Sequence, residues 1–109
     1  EVYTALYRPG DNSPEKITDD IAVNPDALAG MITEKTVFLG DGVNRYRELL
    51  IAKLGELYNE APIPLQLPRA SNVAMLALNR LGKGDTDDPF TLIPKYIRKS
   101  EAEIRWREK

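Results

Sequence analysis

A short apolar segment that meets two glycines and then an amphipathic helix is the feature that most constrains the fold of this chain. Residues 37–43 read Val-Phe-Leu-Gly-Asp-Gly-Val. The apolar residues are typical of a strand, and a strand that enters a helix through a glycine turn is the repeating unit of α/β folds. We therefore predict an α/β domain with a strand at residues 36–39.

The helix predicted after the turn covers residues 43–58. Its apolar side chains recur at steps of three and four residues, which places them on one face of a helix, while charged residues lie opposite. This face should be buried. Its members are Val43, Tyr46, Leu50, Leu54, Leu57 and Tyr58.

The glycine turn itself is a candidate ligand site. Glycine permits positive φ and a close approach of a ligand to the backbone, and helix N–H groups point outward there. A phosphate or a ribose could bind at such a place, so Gly40, Asp41 and Gly42 form a possible nucleotide-proximal turn. A plain structural turn is the commoner role of a Gly-x-Gly sequence. Asp41 also adds negative charge where a phosphate needs donors.

Composition narrows the possible chemistry. The sequence contains no histidine and no cysteine, which excludes disulfides, thiol nucleophiles, zinc sites built from these residues, and Ser-His-Asp triads within the chain. Serine hydroxyls have no histidine to activate them, and adjacent acids in polar loops usually face water. We predict no catalytic and no metal-binding residues. The groups considered are Ser13, Ser71, Ser100, the pair Asp19 and Asp20, and the pair Asp87 and Asp88.

Length and charge indicate one domain without direct affinity for nucleic acid. The chain has 109 residues, and its 15 basic and 17 acidic residues give a net charge of −2. Tight binding to nucleic acid requires clustered Lys and Arg. No apolar run approaches the roughly 20 residues of a membrane-spanning helix. We expect a single domain over residues 1–109, no membrane association and a cytoplasmic location.

Strand patterns open the chain. Residues 1–8 alternate Val2, Thr4 and Leu6 on one face with aromatic and small residues on the other, which indicates a strand covered on both sides. Because a full strand begins at the first residue, we expect the chain to be a fragment of a longer protein. Residues 9–14 form a turn-rich cluster that leads into a second strand near residues 16–23, polar enough to be an edge strand.

Two further helices are predicted. One begins at Asn24 as N-cap with Pro25 at the first helical position, and Leu28 and Ile32 should face inward. Prolines confine residues 61–68 to extended chain or an edge strand. The other helix covers residues 71–81 and is apolar on most of its circumference, which favours packing on the sheet over binding a partner protein.

The loop after this helix, residues 82–89, carries three acids. It lacks the spacing and the terminal glutamate of an EF-hand calcium site. We predict a solvated loop.

The end of the chain resembles a known family. Residues 92–98, Leu-Ile-Pro-Lys-Tyr-Ile-Arg, resemble the C-terminal Pro-x-Tyr-Leu-Arg signature of the TsaB family, formerly YeaZ. Residues 1–3, Glu-Val-Tyr, resemble the Gly-Glu-Val-Tyr strand that opens that family's second lobe, and residues 38–42 resemble its glycine turn. The three matches occur in the family's order and span nearly the whole chain. The signature positions are Pro94, Tyr96, Ile97, which replaces the usual leucine, and Arg98.

This resemblance implies an actin-like ATPase or RNase H-like architecture, in which two α/β lobes face each other. The chain would be the second, C-terminal lobe, a mixed sheet with flanking helices that is truncated at its N-terminus, and the first lobe would be absent. The family is the non-catalytic partner of TsaD in formation of threonylcarbamoyladenosine (t6A) at adenosine 37 of tRNA, with TsaE as a further partner. The resemblance thus implies a scaffold, only indirect contact with tRNA, and no glycoprotease activity.

Other roles remain open. One alternative is the nucleotide-binding lobe of an actin-like ATPase-fold protein, and ATP would then bind at most at a two-lobe or partner site, with no cofactor in this chain alone. Residues 95–109 could touch tRNA, with Trp106 stacking on a base. Interleaved acids favour local packing of Ile104 and Trp106 instead, and Arg98 pairing with an acidic neighbour or a partner. An unpaired edge of the truncated sheet could cause self-association.

Overall fold

The computed structural model describes residues 1–107, and within them the chain forms six short strands and four α-helices. The strands are β1 (Val2–Thr4), β2 (Tyr7–Arg8), β3 (Glu15–Lys16), β4 (Ile21–Val23), β5 (Thr36–Phe38) and β6 (Tyr58–Glu60). The helices are α1 (Pro25–Met31), α2 (Asp41–Leu54), α3 (Ala70–Gly82) and α4 (Glu101–Arg107), and 3-10 turns occur at Gly55–Leu57 and Ile63–Leu65.

The strands form three small sheets. β1 pairs antiparallel with β4, with Val2 opposite Val23, and β2 pairs antiparallel with β3. β5 pairs in parallel with β6, with Phe38 opposite Glu60, and α2 connects these two strands. The α/β class is therefore confirmed. The prediction of one mixed sheet is wrong for the described residues, because the parallel and antiparallel pairs lie in separate two-stranded sheets.

The two long strands predicted near the N-terminus are each interrupted. The backbone N–H of Leu6 donates to Oγ1 of Thr18 at 2.9 Å, and the N–H of Ile17 donates to the carbonyl of Leu6 at 2.9 Å. A side chain thus takes the place of a ladder partner and separates β1 from β2 and β3 from β4. Coverage on both faces is also wrong, since Tyr3 is 66% and Tyr7 is 54% exposed. The turn at residues 9–14 joins β2 to β3 as predicted.

Helix α1 begins as predicted. The side chain of Asn24 accepts a hydrogen bond from the backbone N–H of Asp26 at 2.8 Å, and Pro25 occupies the first helical position. The cap satisfies one of the donors that a helix start leaves without a partner. Leu28 and Ile32 are buried, so the inward face is confirmed.

The core lies where α1 and α2 pack together. Val43, Leu50 and Leu54 of α2 are buried, and the other members of the predicted face are half-buried against the same cluster. The helix ends at Leu54 rather than at residue 58. Gly55 has a φ of 52°, which stops the helix and lets Tyr58 open β6. The buried cluster is completed by Leu28, Ala29, Ile32 and Phe38.

Residues 61–68 are not the predicted edge strand. β6 ends at Glu60, and the 3-10 turn at Ile63–Leu65 follows it. Two residues of this turn region carry backbone hydrogen bonds, from the N–H of Leu65 to Pro62 and from that of Gln66 to Ile63. The prolines therefore promote a compact turn here instead of extended chain.

Helix α3 does not pack on a sheet, so that prediction is wrong. None of its residues is buried within the described part of the chain, residues 1–107. The buried cluster lies between α1 and α2, and it includes no residue of α3. The radius of gyration of 16.8 Å agrees with this, because a compact domain of about 100 residues has about 13 Å. None of the helices in residues 1–107 has the length and hydropathy to cross a bilayer.

Candidate functional site

The glycine turn lies at the carboxyl end of β5, where α/β folds commonly bind ligands. Phe38 is buried, Leu39 is exposed, and Gly40 adopts φ 112° and ψ 166°. This backbone region is essentially restricted to glycine. The N–H of Val43 donates to the carbonyl of Gly40 at 3.2 Å and starts α2. The turn therefore requires glycine at position 40 for its backbone conformation.

The side chain of Asp41 binds a backbone N–H group at the start of α2. Oδ1 of Asp41 accepts a hydrogen bond from the N–H of Gly42 at 3.0 Å, and Gly40 supplies no side-chain cap. A carboxylate at this position suits the positive end of the helix dipole. It also uses a donor that a phosphate would need and repels further negative charge. Ribose hydroxyls or an amine suit this helix start better than a phosphate.

Gly42 lies beside β1. A Cβ atom built on Gly42 would lie 3.4 Å from Cγ1 of Val2, an ordinary van der Waals contact, so the first turn of α2 lies close to β1 without requiring glycine at this position. Beside this contact is a cavity of about 310 Å³. Its volume is at the lower end of the range of small-molecule pockets. Its wall includes the predicted turn residues Gly40, Asp41 and Gly42, together with Tyr3, Thr4, Phe38, Leu39, Arg45 and Tyr46.

The signature residues lie elsewhere. Arg98 Nη1 lies 3.3 Å from Oε2 of Glu1, and Lys95 Nζ lies 2.9 Å from Oδ2 of Asp20. The predicted pairing of Arg98 with an acidic neighbour is confirmed. These two ion pairs attach Lys95 and Arg98 to Asp20 and Glu1, the residues just before β4 and β1. Glu1 lines the cavity at the glycine turn, whereas Pro94, Tyr96, Ile97 and Arg98 do not.

Helix α4 was not predicted from the sequence, although a signal for it is present. The N–H of Ser100 donates to Oε2 of Glu103 at 3.1 Å, and the N–H of Glu103 donates to Oγ of Ser100 at 3.3 Å. This reciprocal pair is a capping box, which the spacing Ser-x-x-Glu indicates. α4 and the signature form an open groove beside Tyr96, Ile97 and Trp106.

Local packing of the tail is weaker than predicted. Trp106 lines the open groove but is 83% exposed, whereas Ile104 is 37% exposed. Glu108 and Lys109, which belong to the segment considered for contact with tRNA, lie outside the described residues.

An ion-pair network around Glu60 was also missed. The carboxylate accepts hydrogen bonds from Arg47, from the hydroxyl of Tyr58 at 2.8 Å and from Nε2 of Gln66 at 2.6 Å. Hydrogen bonds from Arg47, then from Gln66 and Tyr58, lower the pKa of Glu60 from 4.5 to about 2. Burial, and then the hydrogen bond to Glu60, raise the pKa of Tyr58 to about 12. No sequence pattern pointed to this network, because β6 itself was not predicted.

The acid pairs considered for catalysis have structural contacts. Asp20 binds Lys16 and Lys95, whose hydrogen bonds lower its pKa. Asp87 lies 3.1 Å from Arg80, and Oδ1 of Asp88 accepts from the N–H of Phe90 at 2.9 Å. The loop at residues 82–89 is therefore tied to the end of α3. Within residues 1–107 there is no cluster of three or more side chains suited to a metal ion.

Comparison with known proteins tests the resemblance to the TsaB family. The chain is 28% identical over 111 residues to the tRNA threonylcarbamoyladenosine biosynthesis protein TsaB of Bacillus subtilis (strain 168), and the match covers 99% of the chain. The predicted resemblance to the TsaB family is confirmed. The chain spans about half of the relative's length, 47%. No protein-family model and no solved structure matches the chain.

Proposed function

We propose that this chain acts in t6A biosynthesis as a non-catalytic scaffold that supports TsaD during modification of adenosine 37 of tRNA. The observation that carries the proposal is the similarity to Bacillus subtilis TsaB along 99% of the chain. The proposal includes TsaE as a further partner, only indirect contact with tRNA, and action in the cytoplasm. Because the match covers 47% of the relative, the proposal concerns the chain as a part of a TsaB-like protein.

The side chains support a scaffold rather than an enzyme. The sequence offers neither histidine nor cysteine for nucleophilic or metal-assisted chemistry. The carboxylates with a lowered pKa, Asp20, Glu60 and Asp85, are bound to Lys or Arg side chains, so they are held in the charged form by ion pairs that stabilise the fold. A general base needs a pKa near the working pH, and these shifts go the other way.

The test is binding and modification with TsaD from the same source. We expect the whole protein to bind TsaD in a titration, with and without ATP. We also expect tRNA from cells depleted of the protein to lose t6A. The 109-residue chain serves as the matched comparison. Binding by the whole protein but not by the chain would place the interface outside residues 1–109. Normal t6A levels in depleted cells, or a whole protein that does not bind TsaD, would contradict the proposal.

A nucleotide-binding lobe is the second candidate, and the cavity beside Gly40 favours it. Because Asp41 lies at the helix start, we expect this cavity to hold the nucleoside part of ATP rather than its phosphates. Titration of adenosine and of ATP into the Asp41→Asn variant distinguishes contact of Asp41 with ribose from repulsion of phosphate by Asp41. The control is Asp11→Asn in the exposed turn. Loss of both ligands indicates contact of Asp41 with ribose, and a gain for ATP alone indicates repulsion of phosphate. Failure of both ligands to bind the whole protein removes this candidate.

A further inference from the structure

The cavity beside the glycine turn has an apolar wall that also contains a few charged side chains. Tyr3 of β1 and Leu39, which follows β5, belong to this wall, and they are 66% and 64% exposed. Small-molecule sites are mostly apolar, and a few polar groups in them fix the orientation of the ligand. The charged side chains of the wall therefore indicate which class of ligand suits the cavity.

Three charged side chains line the cavity, and one of them is already paired. They are Glu1, Asp41 and Arg45. Oε2 of Glu1 lies 3.3 Å from Nη1 of Arg98, so the charge of Glu1 is balanced. Neither Asp41 nor Arg45 forms an ion pair with a described side chain of residues 1–107. The cavity thus offers one carboxylate and one guanidinium without an ionic partner.

These two groups are neighbours on α2, but they do not bind each other. Residues four apart on a helix lie side by side, with about 5–6 Å between their Cβ atoms. The guanidinium of Arg45 lies instead over the ring of Tyr46, with Cζ 5.4 Å from the ring centre, and it makes no hydrogen bond within the described part of the chain. Its N–H donors stay available to a carboxylate, which a guanidinium can bind through two parallel hydrogen bonds.

Asp41 keeps one carboxylate oxygen for a ligand. Its Oδ1 accepts a hydrogen bond from the N–H of Gly42 at 3.0 Å, whereas Oδ2 accepts none from the described residues. A carboxylate only accepts hydrogen bonds and an ammonium group only donates them. Because their charges are opposite, Asp41 binds an ammonium group more strongly than a neutral hydroxyl.

We propose that the cavity binds a free α-amino acid with an apolar side chain. The ammonium group of the ligand binds Asp41, its carboxylate binds Arg45, and its side chain covers Tyr3 and Leu39. One carbon atom carries both charged groups of an α-amino acid, so they can reach two side chains that are one helical turn apart. A ligand of this class satisfies both unpaired charges and adds no net charge to the cavity.

Other classes of ligand satisfy only part of this wall. A phosphate would be repelled by Asp41, and a simple amine would leave Arg45 without a partner. A nucleoside, the second candidate for the same cavity, carries no charge and leaves both side chains without an ionic partner. The volume of about 310 Å³ also suits a small ligand. The inference does not depend on the proposed scaffold function, because it concerns a ligand of this chain alone.

Titration of the 109-residue chain with phenylalanine, followed by NMR of the backbone amides, tests the proposal. We expect a dissociation constant on the order of 0.1 mM, because a small ligand with partly exposed charges binds weakly. The signals of Gly40 and Gly42 should shift, since both residues line the cavity. Phenylalaninamide lacks the carboxylate and N-acetylphenylalanine lacks the ammonium group, so each should bind at least about tenfold more weakly.

Two variants assign the two charges. Asp41→Asn should weaken binding of phenylalanine at least about tenfold, but it should not weaken binding of N-acetylphenylalanine, which has no ammonium group. Arg45→Gln should weaken phenylalanine by a similar factor and should not weaken phenylalaninamide, which has no carboxylate. The matched controls, Asp11→Asn and Arg8→Gln, remove the same charges from exposed positions outside the cavity wall and should change each dissociation constant by less than about twofold.

Four results would overturn the proposal. The first is the absence of a shift at Gly40 and Gly42 in about 10 mM phenylalanine, about 100 times the expected dissociation constant. The second is equal affinity for phenylalanine and its two analogues. The third is an effect of Asp41→Asn or Arg45→Gln no larger than that of its control. The fourth is binding of adenosine but not of phenylalanine, which would favour the nucleoside as the ligand of this cavity.

Discussion

The guanidinium of Arg47 donates two hydrogen bonds to the carboxylate of Glu60, from Nε at 2.8 Å to one oxygen and from Nη2 at 2.6 Å to the other. The two residues belong to α2 and β6, and Nε2 of Gln66 donates to the same carboxylate and to the carbonyl of Ala61 at 3.0 Å. Two-pronged Arg–carboxylate contacts are stronger and more directional than neutral hydrogen bonds. The network therefore fixes the parallel strand pair against the helix that connects its strands.

Replacement of the acid should weaken the fold. Glu60→Gln keeps the size of the side chain but removes the charge that Arg47 binds and leaves fewer acceptor sites for Tyr58 and Gln66. We expect the midpoint of thermal unfolding, measured by circular dichroism, to fall by several degrees.

The matched control is Glu34→Gln. Glu34 pairs with Arg8 at 3.1 Å, but both side chains are about two-thirds exposed, and exposed pairs contribute little. The control should shift the midpoint by no more than about one degree. Equal shifts in both variants would show that Glu60 acts as an ordinary surface residue.

The stability of the fold at low pH should depend on the same carboxylate, that of Glu60. The pKa of Glu60 is lowered from 4.5 to about 2 in the folded chain, so folding is favoured by its charge at every pH above 4.5. As the pH falls from 4.5 towards 2, unfolded chains bind the proton first and stability is lost. We expect urea midpoints to fall over this range and to fall less in Glu60→Gln. A remaining loss is expected from Asp20 and Asp85, whose pKa values are also lowered.

Local patterns predicted the elements whose signals lie within a few residues. The cap formed by Asn24 and the buried face with Val43 and Leu50 agree with the structure, because each depends on neighbours along one helix. The Glu60 network joins residues up to 19 positions apart, from Arg47 to Gln66, and no local pattern encodes it. The burial of α3 was predicted wrongly because an apolar helix shows that a partner surface is needed without showing where that surface is.

The glycine turn could be located from the sequence, and its conformational demand is testable. Gly40 has a positive φ, whereas a Cβ atom there would meet nothing within 4 Å, so Gly40→Ala should destabilise through backbone strain alone, by about 1–3 kcal/mol. Gly30→Ala is the matched control. Gly30 lies in α1 with open space around it and without a positive φ, so alanine there should stabilise by about 0.5–1 kcal/mol. Urea unfolding measures both changes, and opposite signs are the expected result.

A pair of leucine variants distinguishes the core from α3. Leu50 is 3% exposed in the buried cluster, so Leu50→Ala should cost about 2–5 kcal/mol of unfolding free energy, since a cavity replaces its contacts. Leu78 is 60% exposed on α3, and Leu78→Ala should change stability by less than about 0.5 kcal/mol, because alanine keeps the helix propensity and no core contact is lost. Urea unfolding measures both variants. A loss at Leu78 comparable to that at Leu50 would mean that α3 packs on the core in solution.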